Sequence, residues 1–372
     1  MPSLTLPEIP HYVADPPTQE SLDFADLAVI DLSKSCTPEG RVALTREVHD
    51  ALRIQGFFYV VNHGWSKAQV DRIFDVADHS FTSVELEEKR KLAFQPEQGS
   101  YLGYKLPRYW EIESKHGTLD QVEHYSINKD MHQRAHPEPL QPLLPEIEAF
   151  IAHNQNNILL PLLRLLAASL ELPENTFADM HKMEDYSESA TLLEYPNLPS
   201  PSYPRSEDEE QKTKNVRLKG HTDYGSLTLL WSQPVGGLQV LSSHDGKWRW
   251  VRHIDNALVI NGGDALNFFS GGYYTSTIHR VVQPPADQRE RVRLGVFFFC
   301  MPSDGIRLAP LGESPVLRRE GLNKLPEGAV IPLVEDWRKG RSSQYGRVTL
   351  KQSMEDGVEE DVVAGVVVRQ YN

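Results

Sequence analysis

Residues 216–231 read VRLKGHTDYGSLTLLW and residues 273–282 read YYTSTIHRVV. Short β-branched and aromatic runs of this kind, broken by Gly-Gly, Asp-Gly and Ser-Gly-Gly turns, continue from Val216 to Cys300. Consecutive hairpins of a sandwich or barrel have that pattern, so an antiparallel jelly roll is expected here, within a mainly β protein carrying flanking helices. HTDYGSLTLLW, from His221, reads as one strand, and residues two apart on a strand point to the same face. His221 and Asp223 are thereby placed to grip one metal ion, with His279, from the second run, as the third ligand. Two histidines and a carboxylate fill one side of an octahedral ion and leave the opposite positions open for oxygen and a cosubstrate, which suits iron(II) dioxygen chemistry. Zinc accepts the same ligands, but the helical His-Glu-x-x-His spacing of zinc hydrolases is absent from the sequence.

Downstream of His279 the run RVRLGVFFFC, from Arg291 to Cys300, reads as a further strand on which Arg293 shares a face with Gly295 and Phe297. A guanidinium clamps a carboxylate through two parallel hydrogen bonds, so Arg293 is positioned to hold the far end of a dicarboxylate bound to the metal. The competing reading is a solvated edge-strand arginine. Arg289 and Arg291 compete for the role but lie closer to the preceding turn.

Upstream, Leu27 to Leu32 and Phe57 to Val61 read as strands, and Gly40 to Gln55 and Lys67 to Leu92 as helical regions with apolar residues at helical spacing. Gly99 to Lys129 lacks clear periodicity and reads as loop and short strand. Leu144 to Leu170 keeps a helical repeat for more than six turns, with a kink expected at Pro161. Pro199 to Asn215 is rich in proline, serine and charge and reads as a surface loop. A helix around Leu333 to Lys339 and a polar, frayed tail are expected to close the chain. This divides it into an amino-terminal helix and strand region (1–180), a jelly-roll core (181–305) and a carboxy-terminal helix and tail (306–372).

With 372 residues, 40% apolar and 24% charged, the chain has ordinary globular composition. A net charge of −14 and the absence of long basic runs argue against a general nucleic-acid surface. Cys36 and Cys300 have no paired spacing, so neither a disulfide framework nor a thiolate zinc site is indicated. The proline-rich start, MPSLTLPEIPHYVADPP, lacks the features of a signal peptide, and no apolar run reaches membrane-spanning length. The expectation is a cytoplasmic monomer that acts on a small molecule, away from nucleic acid and membrane.

The motifs VIDLSK (Val29 to Lys34), GFFYVVNHG (Gly56 to Gly64), Tyr195-Pro196, HTDYGSLTLL from His221, GGLQV from Gly236 and IHRVVQPP from Ile278 together resemble the 2-oxoglutarate-dependent dioxygenases of the isopenicillin N synthase-like family, which serve plant and fungal small-molecule metabolism. The resemblance covers most of the chain. It implies a double-stranded β-helix, iron(II) on His221, Asp223 and His279, 2-oxoglutarate clamped by Arg293 and hydrogen-bonded by Tyr195, and dioxygen as co-reactant. Two positions depart from the family: Gly295 stands where Arg-x-Ser has its serine, and Leu193 where an asparagine is usual two places before Tyr-Pro.

The expected reaction is hydroxylation, desaturation or cyclisation of a small organic molecule, with release of succinate and carbon dioxide. Two alternatives stand beside it: an iron oxidase of the same fold that ignores 2-oxoglutarate, and a non-catalytic small-molecule binding module. Substrate selectivity in such sites belongs to loops. In YLGYKLPRYW (Tyr101 to Trp110) the aromatic residues, Tyr104 included, are candidates for an apolar wall, and Lys105 and Arg108 for partners of a substrate carboxylate or phenolate. His63 reads as structural, ahead of the turn at Gly64, and the same reading extends to His124, His244 and His253.

Overall fold

The computed structural model describes residues 6–96, 100–113, 117–182, 192–198, 206–325, 327–344, 351–353 and 358–371. Two sheets face each other. The larger runs in the order Val29–Asp31, Phe57–Val61, Leu258–Gly262, Leu227–Trp231, Phe297–Cys300, Leu192–Leu198, Glu123–Asn128, Gly103–Lys105, with Arg293–Leu294 also paired to Leu192–Leu198. The smaller runs Trp248–Trp250, Leu238–Leu241, His279–Val282, Val216–His221, Val366–Tyr371, Val358–Val363, Lys351–Gln352. The pairing is antiparallel apart from Val29–Asp31 on Phe57–Val61.

The central strands of the larger sheet, Phe57–Val61, Leu258–Gly262 and Leu227–Trp231, are covered on both faces, which is why they read as near-continuous apolar runs. Leu227, Leu229 and Trp231 join the main core beneath the helices, while Leu230 joins a smaller cluster between the sheets. Phe58 and Val60 against Phe57 and Tyr59, and Leu258 and Ile260 against Val259, divide in the same way. The helices Pro38–Ile54, Lys67–Thr82, Leu144–His153 and Leu160–Ser169 supply the other half of the main core. Thr37 and Ser66 cap the first two, with a reciprocal Ser66–Gln69 capping box.

Several elements differ from the sequence expectations. The long helix is not α-helical throughout: it widens into a π turn at Asn154–Leu159, just ahead of Pro161, and continues as Leu160–Ser169. Proline has no N–H to donate, and a widened turn ahead of it lets the helix pass without a break. The region read as loop and short strand contains Glu123–Asn128, a strand buried along its whole length, hidden from a pattern reading because its Glu, His, Ser and Asn break the apolar alternation. Part of the stretch taken as a loop is the helix Glu207–Lys212, with a Ser206–Glu209 capping box; 199–205 lie outside the described residues.

The described part of the tail is not frayed. Val358–Val363 and Val366–Tyr371 form a hairpin closed by Ala364 and Gly365, both at positive φ (47° and 81°), as the tightest hairpin turn requires. The hairpin extends the smaller sheet through Tyr371 opposite Gly220, and a Lys219–Glu359 ion pair of 2.7 Å supports it. Gly220 is needed for this approach, because a Cβ there would lie 2.8 Å from Tyr371 Cβ and 3.0 Å from the Trp248 ring. Gly220→Ala is expected to destabilise the fold by about 1–3 kcal/mol through overpacking, read as a lower midpoint of thermal unfolding. No described helix is long and apolar enough to cross a membrane.

Candidate metal centre

The smaller sheet places two histidines side by side. His221 ends the strand Val216–His221, His279 begins His279–Val282, and the two residues pair directly, with ring centroids 4.4 Å apart. Asp223 does not share a strand with His221, as the sequence suggested. It lies in the turn 222–226 that crosses to the larger sheet. That turn is clamped by backbone bonds: Asp264 N–H donates to the Asp223 carbonyl at 2.7 Å, Gly263 to Ser226 at 3.0 Å and Ala265 to Gly225 at 3.0 Å. Gly263 and Gly225 permit this, since a Cβ on Gly263 would fall 2.4 Å from the Gly225 carbonyl oxygen.

Outer partners settle which atoms face inward. His221 Nδ1–H donates to the Lys219 carbonyl at 2.8 Å and His279 Nδ1–H to that of Thr277 at 3.1 Å, so Nε2 is the nitrogen that each ring turns toward Asp223. Asp223 Oδ2 accepts from Thr228 Oγ1 (2.6 Å) and Asn261 Nδ2 (2.8 Å). Its Oδ1 lies 3.8 Å from His221 Nε2 and 3.6 Å from His279 Nε2. Three ligand atoms within 4.8 Å of one another, all but buried and each oriented by a hydrogen bond elsewhere, fit a metal ion. Among the described residues this is the only such group of histidine, cysteine and carboxylate side chains.

Electrostatics favour the ligand forms. Burial, reinforced by the neighbouring His279, pushes the His221 imidazolium far down, so the ring is neutral. Burial pushes the Asp223 carboxyl up, but His279, His221, Asn261 and Thr228 outweigh it and hold the group below the usual carboxylate range. A neutral histidine and an ionised aspartate are what a divalent cation binds.

The three residues open into a cavity of about 150 Å³ between the sheets, walled by Phe57, Tyr101, Trp110, Phe297 and Phe299 among others. Arg293 lines the same cavity and is 5% exposed, and no carboxylate pairs with it among the described residues. Its Nε has no hydrogen-bond partner, and burial pushes the guanidinium down to about 10, still charged at neutral pH. A buried cation without a counter-ion is costly and fits an anionic ligand carboxylate. Arg289 and Arg291 are exposed, and Arg291 pairs with Asp15. Leu294, Val296, Phe298 and Cys300 enter the main core while Arg293, Phe297 and Phe299 line the cavity, an alternation that puts Gly295 on the cavity side. Tyr195 lies on Leu192–Leu198, paired opposite Tyr125; its side chain, like that of Leu193, is outside the described residues.

The candidate substrate residues are not gathered here. Tyr104 is fully buried on the helix side, stacked on Tyr125 with its hydroxyl donating to the Ser80 carbonyl at 2.7 Å. Lys105, also fully buried, is paired with Asp120 and donates to the Val122 carbonyl at 2.7 Å, its ammonium 4.1 Å from the Trp110 ring centroid. It therefore braces the wall from behind. Arg108 is exposed. The two ends of that segment, Tyr101 and Trp110, do reach the cavity, as does His124, whose ring burial holds neutral. His63 donates to the Asn256 carbonyl at 3.1 Å and packs edge-on against Trp231, apart from the metal ligands. Sequence reading missed Thr228, Asn261 and Arg341. A polar residue inside the apolar run ALVINGG was a usable signal for Asn261; Arg341, from a distant helix, left none.

The description "2OG-Fe(II) oxygenase superfamily" matches residues 187–302, and "non-haem dioxygenase in morphine synthesis N-terminal" matches residues 27–145. A 2-oxoglutarate-Fe(II) type oxidoreductase of Emericella nidulans is 28% identical over 86% of this chain and 90% of its own. Thebaine 6-O-demethylase of Papaver somniferum is 28% identical over 80% and 79%. A full-length Neurospora crassa protein, solved in complex with alpha-KG, superposes with a TM-score of 0.71 at 23% identity, covering 88% of this chain and 100% of that one. A rice dioxygenase for auxin oxidation gives 0.64 at 21% identity over 87% and 98%, and both likenesses bear on the double-stranded β-helix fold. With the two family descriptions covering the amino-terminal signature and the jelly-roll core in turn, the chain belongs to the 2OG-Fe(II) oxygenase superfamily.

Proposed function

We propose that this enzyme holds iron(II) through His221, Asp223 and His279, binds 2-oxoglutarate through the metal, Arg293 and Tyr195, and oxidises a small organic substrate with an apolar, ring-containing body. The observation that carries the reading is the shared cavity: a neutral His221 ring, its partner His279 and an ionised aspartate at one side, a buried arginine without a counter-ion at another. The chemistry supplied by the bound metal and 2-oxoglutarate is dioxygen activation, in which the 2-oxo acid becomes succinate and carbon dioxide and one oxygen atom serves substrate oxidation.

The chain's own residues do the positioning. The Lys219 and Thr277 carbonyls fix the two rings, and Thr228 and Asn261 hold one oxygen of Asp223 so that the other faces the metal. Arg293 orients the far carboxylate of the cosubstrate, and the aromatic wall excludes water from the reacting positions. That wall also supports the substrate class: with Lys105 and Arg108 elsewhere, apolar contact and ring stacking replace charge pairing as the means of recognition. The relatives and structural neighbours named above are consistent with small-molecule substrates; hydroxylation, desaturation and cyclisation share this machinery.

Adding 2-oxoglutarate to the anaerobic iron(II) protein is expected to produce the weak visible charge-transfer band of a chelated 2-oxo acid, and aerobic incubation to release succinate. An iron-loaded protein that shows neither at saturating 2-oxoglutarate does not use this cosubstrate, which favours the cosubstrate-independent oxidase.

A further inference from the structure

We propose that Arg341, on the carboxy-terminal helix Val334–Gln344, is a positioning residue for the metal ligands, gripping the turn that carries Asp223 from both sides. The proposal rests on the metal-centre reading above. Arg341 is 8% exposed and borders the cavity. Its Nη2 donates to the Thr222 carbonyl at 2.8 Å, and its Nη1 pairs with Asp264 Oδ2 at 2.7 Å. The Thr222 carbonyl belongs to the peptide unit immediately before Asp223. Asp264, through its backbone N–H, holds the carbonyl of Asp223 itself at 2.7 Å. One guanidinium thus fixes, directly or through Asp264, the peptide units on either side of the only carboxylate ligand.

Thr228 and Asn261 orient the carboxylate group, whereas Arg341 acts on the backbone from which it projects. Arginine suits the task because its planar fork reaches two acceptors of fixed separation at once; a lysine ammonium on a flexible stem satisfies one of them at a time. The same carboxy-terminal segment touches the site twice more, through Ser342, whose carbonyl accepts from the cavity residue Tyr101 at 2.7 Å, and through Glu359 on Lys219. Docking of residues beyond 334 and the geometry of the ligands are therefore linked, with Arg341 as the joint.

The test is anaerobic iron(II) titration by calorimetry of the full-length protein as wild type, Arg341→Met, Arg341→Lys and Arg338→Met, with thermal unfolding of each metal-free form. Arg338 stands one turn earlier on the helix, is as deeply buried and pairs with Asp304, so its variant reports what loosening the helix alone does. Loss of an outer partner of a ligand weakens metal binding by about 10–100-fold. That loss is expected for Arg341→Met, a smaller one for Arg341→Lys, and near wild-type affinity for Arg338→Met. Unchanged affinity in Arg341→Met, or an equal loss in Arg338→Met, overturns the proposal. If Arg341→Met does not fold, Arg341→Lys carries the test, and wild-type affinity there overturns it. A wild-type protein that binds no iron(II) overturns the metal-centre reading instead, so the two failures are told apart.

Discussion

Asp223→Asn is expected to abolish stoichiometric iron(II) binding and all turnover while leaving the metal-free fold in place. The substitution is nearly isosteric. The amide oxygen can still accept from Thr228 and Asn261, which now bond to Asp223 Oδ2 at 2.6 and 2.8 Å, and the amide nitrogen then occupies the metal-facing position. An –NH₂ group has no lone pair for a cation and carries no charge to attract it. Because altering an outer partner alone costs about 10–100-fold in metal affinity, losing the ligand atom costs more than about 100-fold. Asp223→Ala removes the ligand too but strands two donors, at about 1–3 kcal/mol each when buried, so its metal-free form melts lower than that of Asp223→Asn. His221→Ala and His279→Ala lose metal by the same logic. Titration calorimetry gives the affinities and thermal unfolding the stability; iron(II) binding at wild-type affinity in any of these variants removes that residue from the ligand set.

The sequence pointed to His221, Asp223 and His279 as a candidate ligand group, and the structure gathers the three, yet the strand argument behind that choice fails at one step in an informative way. His221 and Asp223 converge although they share no strand. The strand stops at His221, and backbone bonds from Gly263, Asp264 and Ala265 shape the turn that carries Asp223. These are long-range contacts between distant stretches of the chain, and a local pattern cannot announce them. The same limit explains Tyr104 and Lys105. An alternation of aromatic and basic residues suggests a binding wall, but the pleat sends Tyr104 to Ser80 and Tyr125, and a buried Asp120 takes up the Lys105 ammonium.

The carboxy-terminal hairpin is a different case. Its signal was present, in two valine-rich runs flanking Ala364-Gly365, but the charges of VEEDVV disguised it as tail. Those charges are placed by the pairing itself: Glu359 reaches Lys219, and Glu360 meets Arg369 across the hairpin at 2.9 Å. In the larger sheet, by contrast, Phe57–Val61 was legible, because a strand buried on both faces leaves an uninterrupted apolar run. Legibility therefore tracks how far a strand's partners are apolar neighbours, and fails where a polar side chain has been matched to one distant group.

Arg293→Met is expected to raise the Michaelis constant for 2-oxoglutarate far more than that for substrate. Truncating one member of a buried charge-assisted pair costs about 2–5 kcal/mol, or roughly 30- to several-thousand-fold in affinity. The structure adds a second expectation of opposite sign. Arg293 is buried with no counter-ion among the described residues, and replacing an unpaired buried charge by an apolar side chain of similar length is neutral or stabilising. Arg293→Met should thus melt at or above the wild-type temperature without ligand and gain nothing from 2-oxoglutarate, whereas the iron-loaded wild type is stabilised by it. Gly295→Ser acts in the other direction. Position 295 falls on the cavity side of the Arg293–Cys300 alternation, so a hydroxyl there adds one hydrogen bond to the same carboxylate, worth about 0.5–1.5 kcal/mol, and lowers the Michaelis constant for 2-oxoglutarate by about 2- to 12-fold. Arg289→Ala and Arg291→Ala, at exposed positions, should leave it unchanged. A wild-type requirement for 2-oxoglutarate in Arg293→Met, or ligand stabilisation that survives in it, would place the carboxylate clamp on another residue.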